Sequence, residues 1–355
     1  MANILEIEGL KTYFATGHGL VQAVRDNTLH VEEGEILGIV GESGSGKSVT
    51  MFSVMGLLAR NGYVGQGRVV FDGKEVFNIH HEEETVSLRT LRQEKHDYES
   101  KMREYRGKDI GMIFQDPMTY LNPILTVGYQ MAEGLKKHFN MSKEECRKRS
   151  LEMLKLVGIT NPERRLTQYP FELSGGMRQR VMIAIAMSSF PKLLIADEPT
   201  TALDVTIQAQ ILDLMRGLKD KMGMSIILIT HDLGVVASMC TRIIIMYGGQ
   251  IMEQGTDREI FYESKHPYTE GLLQSIASYD EEADESKKLV PIEGTPPDLL
   301  KPPKGCAFVD RCKYAMKVCK EHEPEMRQLT PTHACKCFLC YPEVESLQKG
   351  EVVNG

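Results

Sequence analysis

The octapeptide GESGSGKS at residues 41–48 constrains the chain more than any other stretch. It matches G-x-x-x-x-G-K-[ST]; the apolar run EILGIV precedes it and a helix-like segment follows. Glycines at 41, 44 and 46 let the backbone curl so that successive N–H groups face phosphate oxygens. A strand, a glycine-rich loop and a helix in this order predict a nucleotide site rather than an accidental turn.

The side chains of this loop complete the predicted cradle. Lys47 supplies a mobile positive charge for the β- and γ-phosphates, and Ser48 offers a hydroxyl to Mg²⁺. The residues predicted from the motif to bind nucleotide are Gly41, Ser43, Gly44, Ser45, Gly46, Lys47, Ser48 and Val49.

The segment KLLIADEPT at residues 192–200 is the expected counterpart of the loop. Its strand, residues 193–196, is predicted to lie beside the strand that enters the loop. Asp197 at the strand's carboxyl end is a candidate Mg²⁺ ligand, and Glu198 is a candidate general base for the attacking water. An acidic pair that merely faces solvent is the alternative.

Two further polar residues follow predicted buried strands. His231 ends SIILITH and is expected to contact the γ-phosphate and steady the attacking water. Gln115, in MIFQDP, is expected to sense Mg²⁺ and water. Each of these residues alone is typical of an ordinary surface loop. They support a nucleotide site only in combination with the loop at 41–48.

Length, charge and hydropathy narrow the class of protein. A chain of 355 residues suggests about two domains. The net charge of −7 disfavours a nucleic-acid partner. The chain has neither an apolar run of about 18 residues nor a basic start followed by an apolar core. We expect a cytoplasmic protein that reaches a membrane only through partners.

The order of predicted elements is that of an α/β protein. Strands at the amino terminus precede the loop at 41–48, and a helix is predicted over 47–60. Charge-rich residues 80–109 predict a solvated helix, and residues 125–190 predict helices broken at NPERR and YPFELSGG. RIIIMYGGQIMEQG predicts a hairpin turning at Gly248-Gly249. The composition becomes proline-, acid- and cysteine-rich after about residue 260.

With LSGGMRQR at residues 173–180, the set resembles the nucleotide-binding subunits of ATP-binding-cassette (ABC) transporters. In that family's terms residues 41–48 are the Walker A loop, Gln115 is the Q-loop residue and LSGG is the signature. LLIAD with Glu198 is Walker B, ALD at 202–204 is the D-loop, and His231 is the switch histidine.

The resemblance implies the fold. We expect a P-loop NTPase cassette over residues 1–260, with a RecA-like mixed sheet, an antiparallel β subdomain and a helical subdomain at about 116–190. A small Cys-rich domain, expected to hold a metal cluster, is predicted over 261–355.

The resemblance also implies the mechanism. Two ATP molecules are sandwiched in a head-to-tail dimer, and the signature residues Ser174, Gly175 and Gly176 close over the partner subunit's ATP. Asp204, the last residue of the D-loop, is also expected to bind nucleotide. The adenine is expected to stack on Phe14, with the neighbouring Tyr13 left open as the alternative.

Three stretches narrow the resemblance: GMIFQDPMTYLNP, YPFELSGGMRQRVMIAIA and HPYTEGLL. They resemble the D-type ATPase subunits of oligopeptide/dipeptide importers. The resemblance implies a second, homologous ATPase, two membrane permeases, an extracytoplasmic peptide-binding protein and a peripheral place on the cytoplasmic face of the membrane. The permease is expected to dock in a groove at about 115–170. Import of nickel or another solute, or a soluble non-transport role, remains open.

Six of the eight cysteines fall in the last fifty residues. Crowding of this kind in a reducing compartment favours metal binding over disulfides. The resemblance favours a [4Fe–4S] cluster on Cys306, Cys312, Cys319 and Cys335, while zinc and unliganded thiols remain alternatives. Cys337 and Cys340 are spare or substitute ligands. Cys146 and Cys240 are predicted to be plain core or near-surface thiols.

Overall fold

The computed structural model describes residues 2–81, 88–115, 120–201, 203–275 and 291–344. The strands in these ranges are β1 (Asn3–Thr16), β2 (Gly19–Glu32), β3 (Ile36–Val40), β4 (Gly62–Phe71), β5 (Lys74–His80), β6 (Ile110–Ile113), β7 (Leu193–Asp197), β8 (Ser225–Thr230), β9 (Arg242–Tyr247), β10 (Gln250–Thr256), β11 (Arg327–Gln328) and β12 (Ala334–Cys335). The helices are α1 (Lys47–Met55), α2 (Leu88–Met102), α3 (Val127–Phe139), α4 (Lys143–Leu156), α5 (Pro162–Arg165), α6 (Gly175–Met187), α7 (Val205–Met222), α8 (Leu233–Met239), α9 (Asp257–Tyr262), α10 (Pro267–Gln274) and α11 (Lys317–Glu321).

The amino-terminal strands form an antiparallel sheet in the order β2-β1-β4-β5. β4 and β5 are joined at Asp72-Gly73, where both residues have positive φ, as the Asp-Gly sequence predicts. One face of this sheet is apolar, and its side chains pack with those of β3 and α1 in a shared core.

The second sheet has the order β11-β12-β10-β9-β3-β8-β7-β6. Its strands β9, β3, β8, β7 and β6 run parallel. Every residue of β3, β7 and β8 is buried, and strands covered on both faces read as continuous apolar runs. The carboxyl ends of β3, β8, β7 and β6 meet at one edge of the sheet.

The prediction that the strand at residues 193–196 lies beside the strand entering the loop at 41–48 is wrong. β7 does not lie beside β3, because β8 separates them and pairs with both. Three fully buried apolar strands have nearly the same composition, so their sequences carry no signal for their order in the sheet.

Helix α1 ends at Met55, short of the predicted end at Arg60. Gly56 follows it with φ 61°, and its N–H donates to the carbonyl oxygens of Phe52 and Ser53. A glycine in this left-handed conformation closes a helix even where apolar spacing continues beyond it.

The prediction that the charged segment is solvated is wrong for one face of α2; residues 82–87 lie outside the described ranges. Tyr98 and Met102 are buried, and Tyr98 packs edge-on against Phe77 with ring centroids 4.5 Å apart. Lys95 Nζ donates to three backbone carbonyls within residues 58–62 at 2.7–3.3 Å. The helix therefore covers the chain that leaves α1.

Helices α3 to α6 form the predicted helical region. Thr126 caps α3, and Ser142 with Glu145 forms a capping box at the start of α4. The predicted break at NPERR instead contains α5, since Pro162 suits a first helical turn. No helix in the described part of the chain combines the length and apolarity needed to cross a bilayer.

The hairpin predicted at Gly248-Gly249 is present between β9 and β10. β12, from the C-terminal region, then pairs antiparallel with β10. Phe308 packs edge-on against Tyr247 of β9, with ring centroids 5.2 Å apart. The C-terminal strands β12 and β11 thus extend the eight-stranded sheet at β10. The domain boundary near residue 260 stays a prediction.

A buried carboxylate holds this region in place. Glu253 of β10 is 0% exposed and accepts the backbone N–H groups of Lys265 and His266 at 2.7 and 3.2 Å. His333 Nε2, itself buried, lies 2.8 Å from the same carboxylate. A buried charge needs several partners of this kind to offset its loss of hydration.

We expect Glu253→Ala to lower the free energy of unfolding by about 3 kcal/mol, because two backbone N–H groups and the buried His333 imidazole lose their partner. Urea unfolding of the full chain measures this. The control is Glu75→Ala, which breaks a half-exposed pair with Arg68 and should cost less than about 1 kcal/mol. An equal decrease in the free energy of unfolding in the two variants would show that Glu253 does not stabilise the fold more than an exposed carboxylate does.

Candidate active site

The backbone of residues 41–48 is packed between β2 and β9. A Cβ on Gly41 would lie 2.1 Å from the carbonyl oxygen of Met246, and one on Gly46 would lie 2.7 Å from that of Ala23. Gly46 also has φ 96° and directly precedes α1. Neither position can take a side chain, so the loop keeps a backbone lining.

The remaining residues of the loop differ in exposure. Ser43 and Gly44 are exposed at its tip, Ser45 is buried, and Val49 is half-buried in the first turn of α1. Gly44 has φ 78°, which favours glycine.

Lys47 is bonded to its own loop. Its ammonium donates to the carbonyl oxygens of Gly41 and Glu42 at 2.6 and 2.9 Å. Burial lowers the pKa of Lys47, and the carboxylates of Glu198, Asp197 and Glu42 oppose that effect. A bound phosphate would take the place of these carbonyls as acceptor.

Ser48 and Asp197 meet although they are far apart in sequence. The Ser48 hydroxyl donates to Asp197 Oδ1 at 2.8 Å, at the point where β7 ends. Burial raises the pKa of Asp197, and the Ser48 hydrogen bond acts against this. A hydroxyl and a carboxylate side by side are oxygen donors of the kind Mg²⁺ prefers, so the pair fits this ion.

Glu198 is the point on which the polar residues converge. Its carboxylate accepts from Gln115 Nε2 at 2.7 Å and lies 3.3 Å from His231 Nδ1. Glu198 has φ 46°, and its N–H donates to the carbonyl oxygen of Ile229. Backbone strain of this kind is kept only where the surroundings fix it, and it is common at functional sites.

Sequence reasoning missed two residues of this region. Thr201 Oγ1 donates to Glu198 Oε2 at 2.9 Å, three residues along the chain. Gln179, buried in α6, donates to the carbonyl oxygen of Pro199. The nearness of Thr201 to Glu198 in sequence was an available signal, whereas nothing in the sequence marks Gln179.

The predicted signature and D-loop residues both begin helices. Ser174 caps α6 by accepting the N–H of Met177 at 3.4 Å, and Gly175 and Gly176 form the first turn. The side chain of Asp204 caps α7.

The two candidates for adenine stacking differ in exposure. The Tyr13 ring is 7% exposed and lies 5.6 Å from the ring of Tyr63, centroid to centroid. Phe14 is half-exposed and packs over Gly62. Phe14 therefore has ring surface to offer, whereas little of Tyr13 is accessible.

Comparison with known proteins connects this geometry to a family. The "ABC transporter" family model matches residues 24–201, and "Oligopeptide/dipeptide transporter, C-terminal region" matches residues 252–319. The chain is 50% identical over 355 residues to the oligopeptide transport ATP-binding protein OppD of Bacillus subtilis, covering 100% of this chain and 94% of that protein. The chain belongs to the ABC transporter ATPases.

A second curated relative and a solved structure support the same family. This ABC ATPase is 48% identical to the dipeptide transport ATP-binding protein DppD of Bacillus subtilis, covering 96% of this chain and 95% of that protein. Among solved structures, the dimeric cassette MJ0796 in a post-hydrolysis state bound to ADP and Pi has a TM-score of 0.59 and 28% identity. That match covers 72% of this chain and 99% of the MJ0796 chain, so the cassette fold is shown.

In this ABC ATPase the structure gathers four thiols around one small cavity. They belong to Cys306, Cys312, Cys319 and Cys337. Cys335, the fourth predicted ligand, does not line this cavity. It lies in β12, fully buried, and its thiol is hydrogen-bonded to that of Cys340.

Burial governs the chemistry of these thiols. It raises the pKa of Cys306 to about 11 and also raises the pKa values of Cys312 and Cys337. Within the described ranges no three or more His, Cys, Asp or Glu side chains are grouped so as to hold a metal ion. Cys146 and Cys240 are buried, as predicted, and all eight cysteines are free thiols.

We expect Glu198→Gln to lower kcat for ATP hydrolysis by about 10²- to 10⁴-fold, the range of a lost general base. The amide retains the size of the side chain, and its oxygen can still accept from Gln115 and Thr201, so ATP binding should persist. Phosphate release and equilibrium ATP binding measure the two effects. Glu163→Gln, at an exposed position, is the control, and a hydrolysis rate for Glu198→Gln equal to that of this control would contradict the role.

Proposed function

We propose that this ABC ATPase powers the uptake of di- and oligopeptides across the cytoplasmic membrane. The observation that carries the proposal is the convergence of Gln115, His231 and Thr201 on Glu198, beside the Ser48–Asp197 pair. The match of residues 252–319 to the C-terminal region of oligopeptide/dipeptide transporters supports the choice of cargo.

The chemistry is divided among the residues of the site. Lys47 and the loop N–H groups bind and orient the phosphates, while Glu198 accepts a proton from the attacking water. His231 and Gln115 fix the direction of the Glu198 carboxylate and of the water. Ser48 and Asp197 would hold Mg²⁺, which neutralises phosphate charge when bound.

The adenine subsite and the signature complete the proposed ATP site. Phe14 stacks on the base, because its ring has the accessible surface that Tyr13 lacks. The N–H groups that begin α6, together with Ser174, contact the ATP held by a second, homologous ATPase in a head-to-tail pair. Asp204, at the start of α7, lies at this interface in the proposed pair.

Exposed aromatic and aliphatic side chains in the helical region are the proposed docking surface for the permeases. Phe171 is 65% exposed and stacks against Tyr169 at 5.6 Å, while Ile124 is 79% exposed. The ring of Tyr120 stacks on that of Phe114, with centroids 3.8 Å apart, and Phe114 directly precedes Gln115 in the sequence. Apolar groups left in water on a helical layer suit a helix from a partner, and Gln115 would carry its movement to Glu198.

We expect Phe171→Ala to abolish the stimulation of ATP hydrolysis by peptide in the assembled importer, because the variant removes ring surface from the docking contact. Basal hydrolysis by the isolated chain should be unchanged. Tyr262→Ala removes a ring that is 85% exposed on α9 and serves as the matched control. Loss of stimulation in both variants, or in neither, would contradict the proposed surface.

The cargo is tested by reconstituting the chain with its second ATPase, its two permeases and the extracytoplasmic binding protein in proteoliposomes. ATP-dependent accumulation of a labelled tripeptide supports peptide import. Accumulation of Ni²⁺ without peptide uptake would identify a related importer, and hydrolysis with neither cargo moving would point to another solute.

The four thiols around the cavity are the proposed ligands of a [4Fe–4S] cluster, with Zn²⁺ as the alternative. Sulfur donors are the ligand type that either group takes. Cys306, Cys312, Cys319 and Cys337 line one cavity but are not grouped as a metal site among the described residues, so binding would require them to move closer together. Binding requires thiolates, so the metal must offset the effect of burial on the thiol pKa values. The role we propose is to cross-link the short helices and loops that carry these cysteines.

We expect the chain purified without oxygen to carry about four irons with equal sulfide, and an absorption band near 400 nm. Cys337→Ser should lose the metal and Cys335→Ser should retain it, because Cys337 lines the cavity and Cys335 does not. Stoichiometric zinc would assign the alternative metal. Loss in Cys335→Ser alone would restore the ligand set predicted from sequence, and no metal in the wild-type chain would reject the site.

A further inference from the structure

An ion pair joins the C-terminal region to the phosphate-binding loop. Arg311 Nη1 and Nη2 donate to the two carboxylate oxygens of Glu42 at 2.7 and 3.1 Å. Glu42 is the second residue of the loop at 41–48, and the Arg311 side chain is 6% exposed. This is the fork geometry in which an arginine binds a carboxylate most strongly.

Every N–H of the Arg311 guanidinium has an acceptor. Besides Glu42, Nη1 donates to the hydroxyl of Tyr247 at 3.2 Å. Nη2 donates to the carbonyl oxygen of Ile292 at 3.0 Å, and Nε donates to that of Glu293 at 2.9 Å. Contacts from the sheet, at Tyr247, and from the C-terminal chain, at Ile292 and Glu293, therefore fix the orientation of the guanidinium.

The backbone of Glu42 is part of the cradle. Its N–H donates to the hydroxyl of Tyr268 at 3.0 Å, and its carbonyl oxygen accepts from the N–H of Ser45 and from Lys47 Nζ. Glu42 therefore contacts, through its backbone, the lysine that must bind phosphate.

We propose that Arg311 is a positioning residue for ATP binding, which neutralises Glu42 and keeps its carboxylate turned away from Lys47. A free carboxylate within a phosphate-binding loop repels the nucleotide and competes for the Lys47 ammonium. Arg311 removes both effects and fixes the second residue of the loop. The C-terminal region thereby sets the ATP affinity of a site to which it contributes no nucleotide ligand.

The test is equilibrium binding of MgATP to the full chain, with kcat and KM measured alongside. We expect Arg311→Met to weaken ATP binding on the order of tenfold, within the range of ordinary site-to-site coupling, and to raise KM more than it lowers kcat. Arg311→Met combined with Glu42→Gln should return affinity to near the wild-type value, because the unpaired charge is gone.

Arg242 offers a matched control. It forms a fork with Glu35 at 2.7 and 3.0 Å, at the opposite end of the parallel strands. Arg242→Met should lower the temperature of unfolding without a selective loss of ATP affinity. If Arg311→Met does not fold, Glu42→Gln alone decides, since the proposal expects ATP binding at least as tight as in the wild type.

Three outcomes would overturn the proposal. Wild-type affinity in Arg311→Met would show that Glu42 needs no neutralisation. A double variant as weak as Arg311→Met would show that the arginine acts only as a structural support. Weakened ATP binding in Glu42→Gln would show that the carboxylate itself is needed.

Discussion

The structure depends on the pairing of buried parallel strands whose carboxyl ends meet at one edge. β3, β8 and β7 are buried along their whole length, so their register is fixed by packing on both faces. The polar groups of the site, on the loop after β3 and at Asp197 and His231, follow directly from these strands. A rigid sheet thus holds groups that are distant in sequence within hydrogen-bond reach, as an open α/β sheet does for its ligands.

The site is held together by one carboxylate in a strained conformation. Glu198 collects hydrogen bonds from the chain after β6 and from Thr201, and it lies near His231 after β8. Tyr120 and Ile124 of the proposed docking surface follow Gln115 within nine residues, and Gln115 donates to Glu198. In the proposed importer, one side chain would therefore link part of the partner contact to the catalytic carboxylate.

Much of this could be predicted from the sequence where a local rule applies. The glycines of the phosphate loop, the Gly248-Gly249 turn and the apolar strands follow from conformational freedom and periodicity. Strand order did not follow, because β3, β7 and β8 are equally apolar. The placing of Cys337 rather than Cys335 around the cavity, and the contact of Arg311 with Glu42, depend on how the C-terminal chain packs across the sheet, which spacing does not encode.

The short strand β12 has a consequence for the synthesis of the chain. It covers the edge of β10 through Glu253 and Gln254, yet it lies some eighty residues later in sequence. Until those residues leave the ribosome, β10 presents unpaired N–H and C=O groups at the margin of an apolar sheet. An edge of this kind is a template for pairing with other chains. The nascent protein is therefore exposed to edge pairing from the time β10 folds until β12 arrives.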